Sequence, residues 1–295
     1  MPGKDHKEHL GKGILFMLLG CLLFSIADAL GKLATQNYPL IQVIWLRCFF
    51  GFLLIATVII AKGNLKAFGT KHPRAHFVRS IVGIALTGCM MTGLKYIPLA
   101  EVTAVVFATP LIVAVYSALV LRENIHKGTF VAIVLGFFGV LIVVRPTPDH
   151  FHFAHLIMLG FALSSAYLSI SARALIKTES PLTLNLYIYP ATIILGGFFA
   201  WRDWVTPDIV SLGYLFGVAF FATLALLSVT KAVHCASPAK VYPFDYSRIV
   251  WTVSIGLIFW GELPDTLTWS GIAIIILCGI YILHHSRRPA SPEKT

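Results

Sequence analysis

Charge is what this 295-residue chain has least of: Asp, Glu, Lys and Arg together make up 12% of it, and only 13 residues are acidic. A water-soluble domain spends about one quarter of its residues on charge to keep its surface solvated, so composition excludes that class. Chemical motifs are equally scarce. The absence of HExxH, a P-loop and a GxSxG elbow leaves zinc-hydrolase, nucleotide-hydrolysing and serine-hydrolase chemistry without residues to carry it. Cys21, Cys48, Cys89, Cys235 and Cys278 have no CxxC or Cys/His ligand spacing and lie in or beside apolar stretches. They read as small core residues, so no metal, cofactor or disulfide framework is expected and an enzyme reading is poor.

What the chain does have is apolar length. Apolar residues make up 57% of it, in runs near the roughly 20 residues that cross a ~30 Å hydrocarbon layer. These cover residues 13–33, 40–61, 77–94, 99–121 and 128–144, then 153–176, 182–201, 209–229, 239–259 and 267–283. The expected fold is an all-α membrane protein of ten transmembrane helices. The net charge of +10 raises the question of nucleic acid, but no basic stripe interleaves with aromatics. Loop Lys and Arg instead collect on alternate sides. Lys62, Lys66, Lys71, Arg74, Arg122, Lys127, Lys177, Arg287 and Arg288 fall on one side, with only Lys32, Lys95, Arg145 and Arg202 on the other. That asymmetry puts both termini in the cytoplasm.

The two halves, residues 1–150 and 151–295, resemble one another. LKYIPLAEVTAVVF from Leu94 lies over VHCASPAKVYPFDY from Val233, and each leads into a helix end with an acid, Glu123 or Glu262. A Gly-bearing final helix follows in each, with Gly136 and Gly139 or Gly271 and Gly279. Five spans per half make the second copy insert upside down, the inverted repeat typical of secondary transporters.

Specific stretches then carry a family resemblance over nearly the whole length: SIADALGKLA from Ser25, YPLIQVIWLRCFFG from Tyr38, YPFDYSRIVW from Tyr242 and FWGELPDTLTWSGIAIIILCGIYI from Phe259. The chain resembles the ten-helix EamA-type branch of the drug/metabolite transporter superfamily, and is similar to a subgroup labelled S-adenosylmethionine or amino-acid-like metabolite transporters. The resemblance implies a central cavity lined by both halves and names no substrate.

Ionisable groups inside a bilayer are functional candidates by default. The strongest cluster is Tyr242, Asp245, Tyr246 and Arg248, beside Pro243 in the ninth span. Aligning the halves back from the two acids sets Val106 opposite Asp245 and Thr109 opposite Arg248, so charge enters one half only. Two readings stand: the pair orients a polar substrate, or it ties the bundle together. Thr103, Phe107 and Thr109 of the fourth span and Trp251 of the ninth complete the substrate-binding set, with Trp45 and Tyr189 as further aromatic wall candidates. Asp28 and Lys32, one turn apart, can share a face. Asp28 either carries a proton or substrate amine, or neutralises Lys32 or Arg47. Arg47, a family-pattern residue, is expected to gate or to hold the fold. Lys95, Tyr96 and Glu101 are candidates for an outer gate. Pro110, Pro190 and Pro243 interrupt spans, and Gly213 with Gly217 forms a GxxxG pair suited to close helix packing or a dimer contact.

The expected function is secondary, non-ATP transport of a small polar, zwitterionic metabolite across a bacterial inner membrane by alternating access. Its partners are the solute, protons and the lipid bilayer, with no nucleic acid, in a monomer or homodimer. The alternatives are an exporter of hydrophobic or cationic compounds and a non-transporting membrane assembly subunit.

Overall fold

Proline and the apolar runs decide where the helices of this chain start and break. The computed structural model describes residues 9–121, 127–145, 152–175, 178–236 and 238–285, all helix, turn or loop with no strand among them. Glu123, Arg122, Lys177, Arg287 and Arg288 lie outside the described residues. In the first half, α1 (Leu10–Asn37), α2 (Leu40–Ala61) and α3 (Pro73–Tyr96) are continuous, and α4 (Leu99–Phe107), α5 (Thr109–Leu121) and α6 (Lys127–Val144) follow. The second half holds α7 (Phe153–Leu175), α8 (Pro181–Leu186), α9 (Pro190–Ala200), α10 (Ile209–Cys235), α11 (Pro238–Val241), α12 (Arg248–Trp260) and α13 (Thr266–His285).

Six stretches are long and apolar enough to cross a membrane: Leu10–Asn37, Leu40–Ala61, Pro73–Tyr96, Phe153–Ala172, Pro181–Ala200 and Ile209–Ala232. Shorter apolar helices cover Leu99–Val113, Gly128–Val144 and Thr266–Ile282. Three of the expected spans are interrupted locally at a proline. Pro110 has no N–H to give the carbonyl four residues back, and Ala108 between α4 and α5 bonds the Val105 and Val106 carbonyls instead. Pro190 likewise opens the chain between α8 and α9, where Tyr189 N–H approaches the Leu186 carbonyl at 3.4 Å. Around Pro243 the six residues Tyr242–Ser247 wind as a 3₁₀ helix between α11 and α12.

Packing crosses between the halves. Helix α1 lies on α10, α3 on α7, α2 on α9, α4 on α12 and α6 on α13. The main core gathers Met91, Leu94, Leu99, Val102, Phe107, Leu111, Ile272 and Ile275. At the α6–α13 crossing, Gly139 and Gly271 meet backbone to backbone, and a Cβ on Gly271 would sit 2.7 Å from the Gly139 carbonyl oxygen. Only glycine admits that approach. In the GxxxG pair, Gly217 packs against Leu30 of α1, while a Cβ on Gly213 would meet nothing within 4 Å.

Candidate solute site and its flanking ion pairs

Residues three apart lie over one another in a 3₁₀ turn, so Asp245 and Arg248 share one edge where that turn runs into α12. Helix α1 offers Cys21, Phe24 and Asp28 at three- and four-residue spacing, a single helical face, and this face meets that edge. The Arg248 guanidinium donates from Nη2 to Asp28 Oδ2, and the two side chains are 9% and 8% exposed. The same guanidinium stands 5.1 Å from the centre of the Phe24 ring. Cys21 Sγ lies 3.5 Å from both the carbonyl and Oδ1 of Asp245. Asp245 lies within electrostatic reach of Arg248, and Arg248 Nε has no hydrogen-bond partner. One guanidinium is therefore bonded to one carboxylate and within electrostatic reach of a second, deep between the first and second halves.

Helix α4 closes another side. The Phe107 ring meets the Tyr246 ring edge-on at 5.0 Å. The Tyr246 hydroxyl and Thr109 Oγ1 are buried without hydrogen-bond partners. Thr103 is buried too, but its hydroxyl is spent on the Leu99 carbonyl at 3.0 Å. Two members of the expected set sit differently. Tyr242 is 38% exposed, and Trp251 packs half-buried against the Met17, Cys21 and Ala232 cluster.

Pairing corrects part of the expectation. Asp28 and Lys32 do share the buried face of α1, yet neither neutralises the other, and Arg248 pairs with Asp28 rather than with Asp245. A charge on the facing helix offers a direct hydrogen bond, whereas an i,i+4 pair must bend two side chains along one surface. Lys32 reaches Glu262 just past α12, with the Ile97 carbonyl at 3.4 Å and the Trp260 ring at 5.2 Å. Glu262 Oε2 also accepts the Leu99 N–H at 3.1 Å, at the start of α4.

Further ties between halves lie at the same end. Glu101 Oε2 meets His155 Nε2 at 2.8 Å, and Gln42 bonds both backbone groups of Val205, at 2.6 and 3.0 Å. Arg145 pairs with Asp265. That guanidinium, with the Thr268 N–H and hydroxyl, holds the Asp265 carboxyl below the ordinary carboxylate range. Tyr96 is 44% exposed and stacks on His152 at 5.0 Å, with the Lys95 ammonium 5.5 Å from its own ring centre.

Arg47 lies apart from both clusters. It is half-buried within electrostatic reach of Tyr189 and Cys48 and makes no ion pair among the described residues. Trp45 bonds the Ile193 carbonyl at 2.9 Å, also on the α8–α9 side. Sequence reasoning missed Arg79, which is 2% exposed. It stands inside the expected third span, so the rule that flagged Asp28 and Arg248 should have flagged it. Glu262 was read only as a marker of the repeat. Among the described residues no three His, Cys, Asp or Glu side chains group as metal ligands.

Comparison with known proteins bears on all of this. The chain is 26% identical over 281 residues to the S-adenosylmethionine uptake transporter of Rickettsia prowazekii, covering 95% of each. It is 26% identical over 292 residues to the riboflavin transporter of Vibrio cholerae, covering 98% of each. Against the pseudopaline exporter of Pseudomonas aeruginosa it is 26% identical over 272 residues, 91% of this chain and 95% of that one. A protein crystal structure at 16% identity superposes with a TM-score of 0.64 over 92% of this chain and 96% of that one, a likeness of fold. These relatives are named for moving small metabolites rather than for catalysis. The model of one family matches residues 11–145 and again 152–284, and with six helices long and apolar enough to cross a membrane, the chain is an integral membrane protein that belongs to the EamA-like transporter family.

Proposed function

We propose that the chain is a secondary transporter that carries a small polar, zwitterionic metabolite across a bacterial inner membrane. It works by alternating access of two inverted five-span halves, residues 1–150 and 151–295, with both termini cytoplasmic. The Asp28–Arg248 pair carries the reading: a buried ion pair joins the two halves, with Asp245 alongside and an idle Nε on the guanidinium. Helix packing supports the repeat, because exchanging the halves turns the α1–α10 contact into α7–α3 and leaves α6–α13, α4–α12 and α2–α9 each paired with itself.

Two carboxylates around one guanidinium leave a surplus negative charge. That balance suits a solute with an amine and a carboxylate plus a further positive centre, as S-adenosylmethionine has in its sulfonium. Amino acids fit the pair without the surplus. Asp28 is the group best placed to meet the solute amine. Lys32, Arg47, Tyr96 and Glu101 act in gating rather than binding.

Uptake into proteoliposomes, screened over S-adenosylmethionine, amino acids and riboflavin, tests the reading. One of these is expected to accumulate, and Asp245→Asn and Arg248→Gln should each weaken its apparent affinity at least tenfold. A transported solute with equal affinity for both variants and the parent would place the site elsewhere.

A further inference from the structure

A polar seam unrelated to Asp28 and Arg248 runs along α3 where it faces α7 and the α8–α9 break. It begins at a cavity of about 430 Å³ lined by Lys66, Thr70, Lys71, Glu179 and Thr183 among others. Glu179 is 7% exposed and accepts the Thr70 hydroxyl and the Lys71 N–H, both at 2.8 Å. His76 comes next, its Nε2 4.0 Å from Glu179 and neither ring nitrogen hydrogen-bonded. Arg79 follows one turn further on, then Ser80, which accepts the Ala191 N–H at 2.8 Å just beyond the break. Gly83 lets α3 close on that break, because a Cβ there would lie 2.5 Å from the Ile188 carbonyl oxygen.

Arg79 is the anomaly in this seam. Its guanidinium donates to the Leu168 carbonyl at 2.8 Å, the Leu184 carbonyl at 3.3 Å and the Ser171 hydroxyl, all neutral, while Nε has no partner. No Asp or Glu pairs with it among the described residues. Neutral acceptors offset only part of the several kcal/mol that burying an ion costs. Clamping freed carbonyls does not call for a delocalised charge with an idle N–H, whereas a planar guanidinium is the side chain best shaped to hold a carboxylate. Arg248 finds its carboxylate within the chain. Arg79 does not.

We infer that Arg79 is the anion-recognising group of a second solute station that takes the carboxylate of the transported solute. The inference rests on the transport reading for its solute, and the chain's own Glu179, 4.0 Å from His76 one turn before Arg79, shows that a carboxylate is accommodated in this seam. Arg47, beside Tyr189 at the same break, adds a second cation without an acidic partner.

Its test needs no transport. Ser171, whose hydroxyl meets Arg79, is replaced in Ser171→Cys, and the full chain in lipid nanodiscs is treated with a sulfonate-bearing or a trimethylammonium-bearing methanethiosulfonate. Modification at position 171 is read by peptide mass spectrometry, with native Cys89 on α3 as the internal reference. The anionic reagent is expected to react at least tenfold faster than the cationic one at position 171 relative to Cys89. Arg79→Gln should abolish that preference and Arg79→Lys should retain most of it. A preference absent in Ser171→Cys itself, one unaffected by Arg79→Gln, or no reaction with either reagent would overturn the inference. Uptake that succeeds alongside such a result would leave the transport reading standing, and uptake that fails alongside a clear preference would sink that reading alone.

Discussion

Removing Arg248 should damage the fold more than removing Asp28, although the two form one ion pair. Both side chains are more than nine-tenths buried, and stripping one partner from a buried pair costs about 3–5 kcal/mol because it strands the other charge. The stranded charges differ. In Asp28→Asn the guanidinium keeps Asp245 within electrostatic reach, which sets the loss at the low end, about 3 kcal/mol. In Arg248→Gln two buried acids are left without a cation, which sets the loss near the high end, about 5 kcal/mol. The double variant leaves one buried acid beside two amides and should cost about 5 kcal/mol rather than the additive 8, a coupling of about 3 kcal/mol. At about 2–4 °C per kcal/mol, thermal unfolding in one fixed detergent should fall by about 6–12 °C for Asp28→Asn and about 10–20 °C for Arg248→Gln. Emission from the six tryptophans reports the transition. Equal losses for the two single variants, or an additive double variant, would refute the three-charge account.

Gly83→Ala drives a methyl into the Ile188 carbonyl oxygen, 2.5 Å away and on backbone that cannot swing aside. It should cost about 1–3 kcal/mol, seen as a drop of several degrees in the same unfolding assay, while Gly88→Ala, open on every side, should cost almost nothing. The acid limb of stability is set in part by Glu179 and Asp265. Burial alone would raise Glu179, but the Lys71 N–H, the Thr70 hydroxyl and His76 outweigh it and hold the group low. A carboxylate depressed in the folded state stabilises it above the unfolded value of about 4, and that contribution fades as pH falls through the lower folded value. These two groups should therefore leave unfolding temperature unchanged from pH 8 to 5 and lower it below about pH 4, and a Glu179→Gln variant should show a shallower acid limb.

Most of the helical layout was legible because lipid imposes a simple code: an apolar run long enough to span must satisfy its backbone as helix. Breaks at Pro110, Pro190 and Pro243 followed from the missing N–H. Pairing was not legible in the same way. Asp28 and Lys32 sit one turn apart, and that spacing shows only that they share a face, not that each will find its partner on the second half. Arg248 and Asp245 posed the same problem three residues apart. What decides such cases is the register of α1 against α12 and the 3₁₀ turn, a tertiary fact that spacing does not encode. Arg79 was legible in principle, since an arginine two residues inside an apolar run is as expensive as any other.

The ties between halves fall into two energetic classes, and the division bears on how alternating access would work. At the Lys32 end, Glu262, Glu101 and Asp265 keep 26%, 23% and 53% of their side chains exposed. Their partners Lys32, His155 and Arg145 are 5%, 3% and 18% exposed, so these are rim pairs open on the acid side, weaker than a fully buried pair. The Asp28–Arg248 pair is different, because both partners are buried and separating it leaves two unpaired charges in the interior. In the proposed mechanism, rocking would be blocked at the deep pair unless something replaced both partners at once. A solute with an amine for Asp28 and a carboxylate for Arg248 does this, and a purely cationic or purely apolar one does not. If the proposed transport holds, the buried pair would make movement of the halves conditional on a bound zwitterion and would keep an empty carrier from leaking.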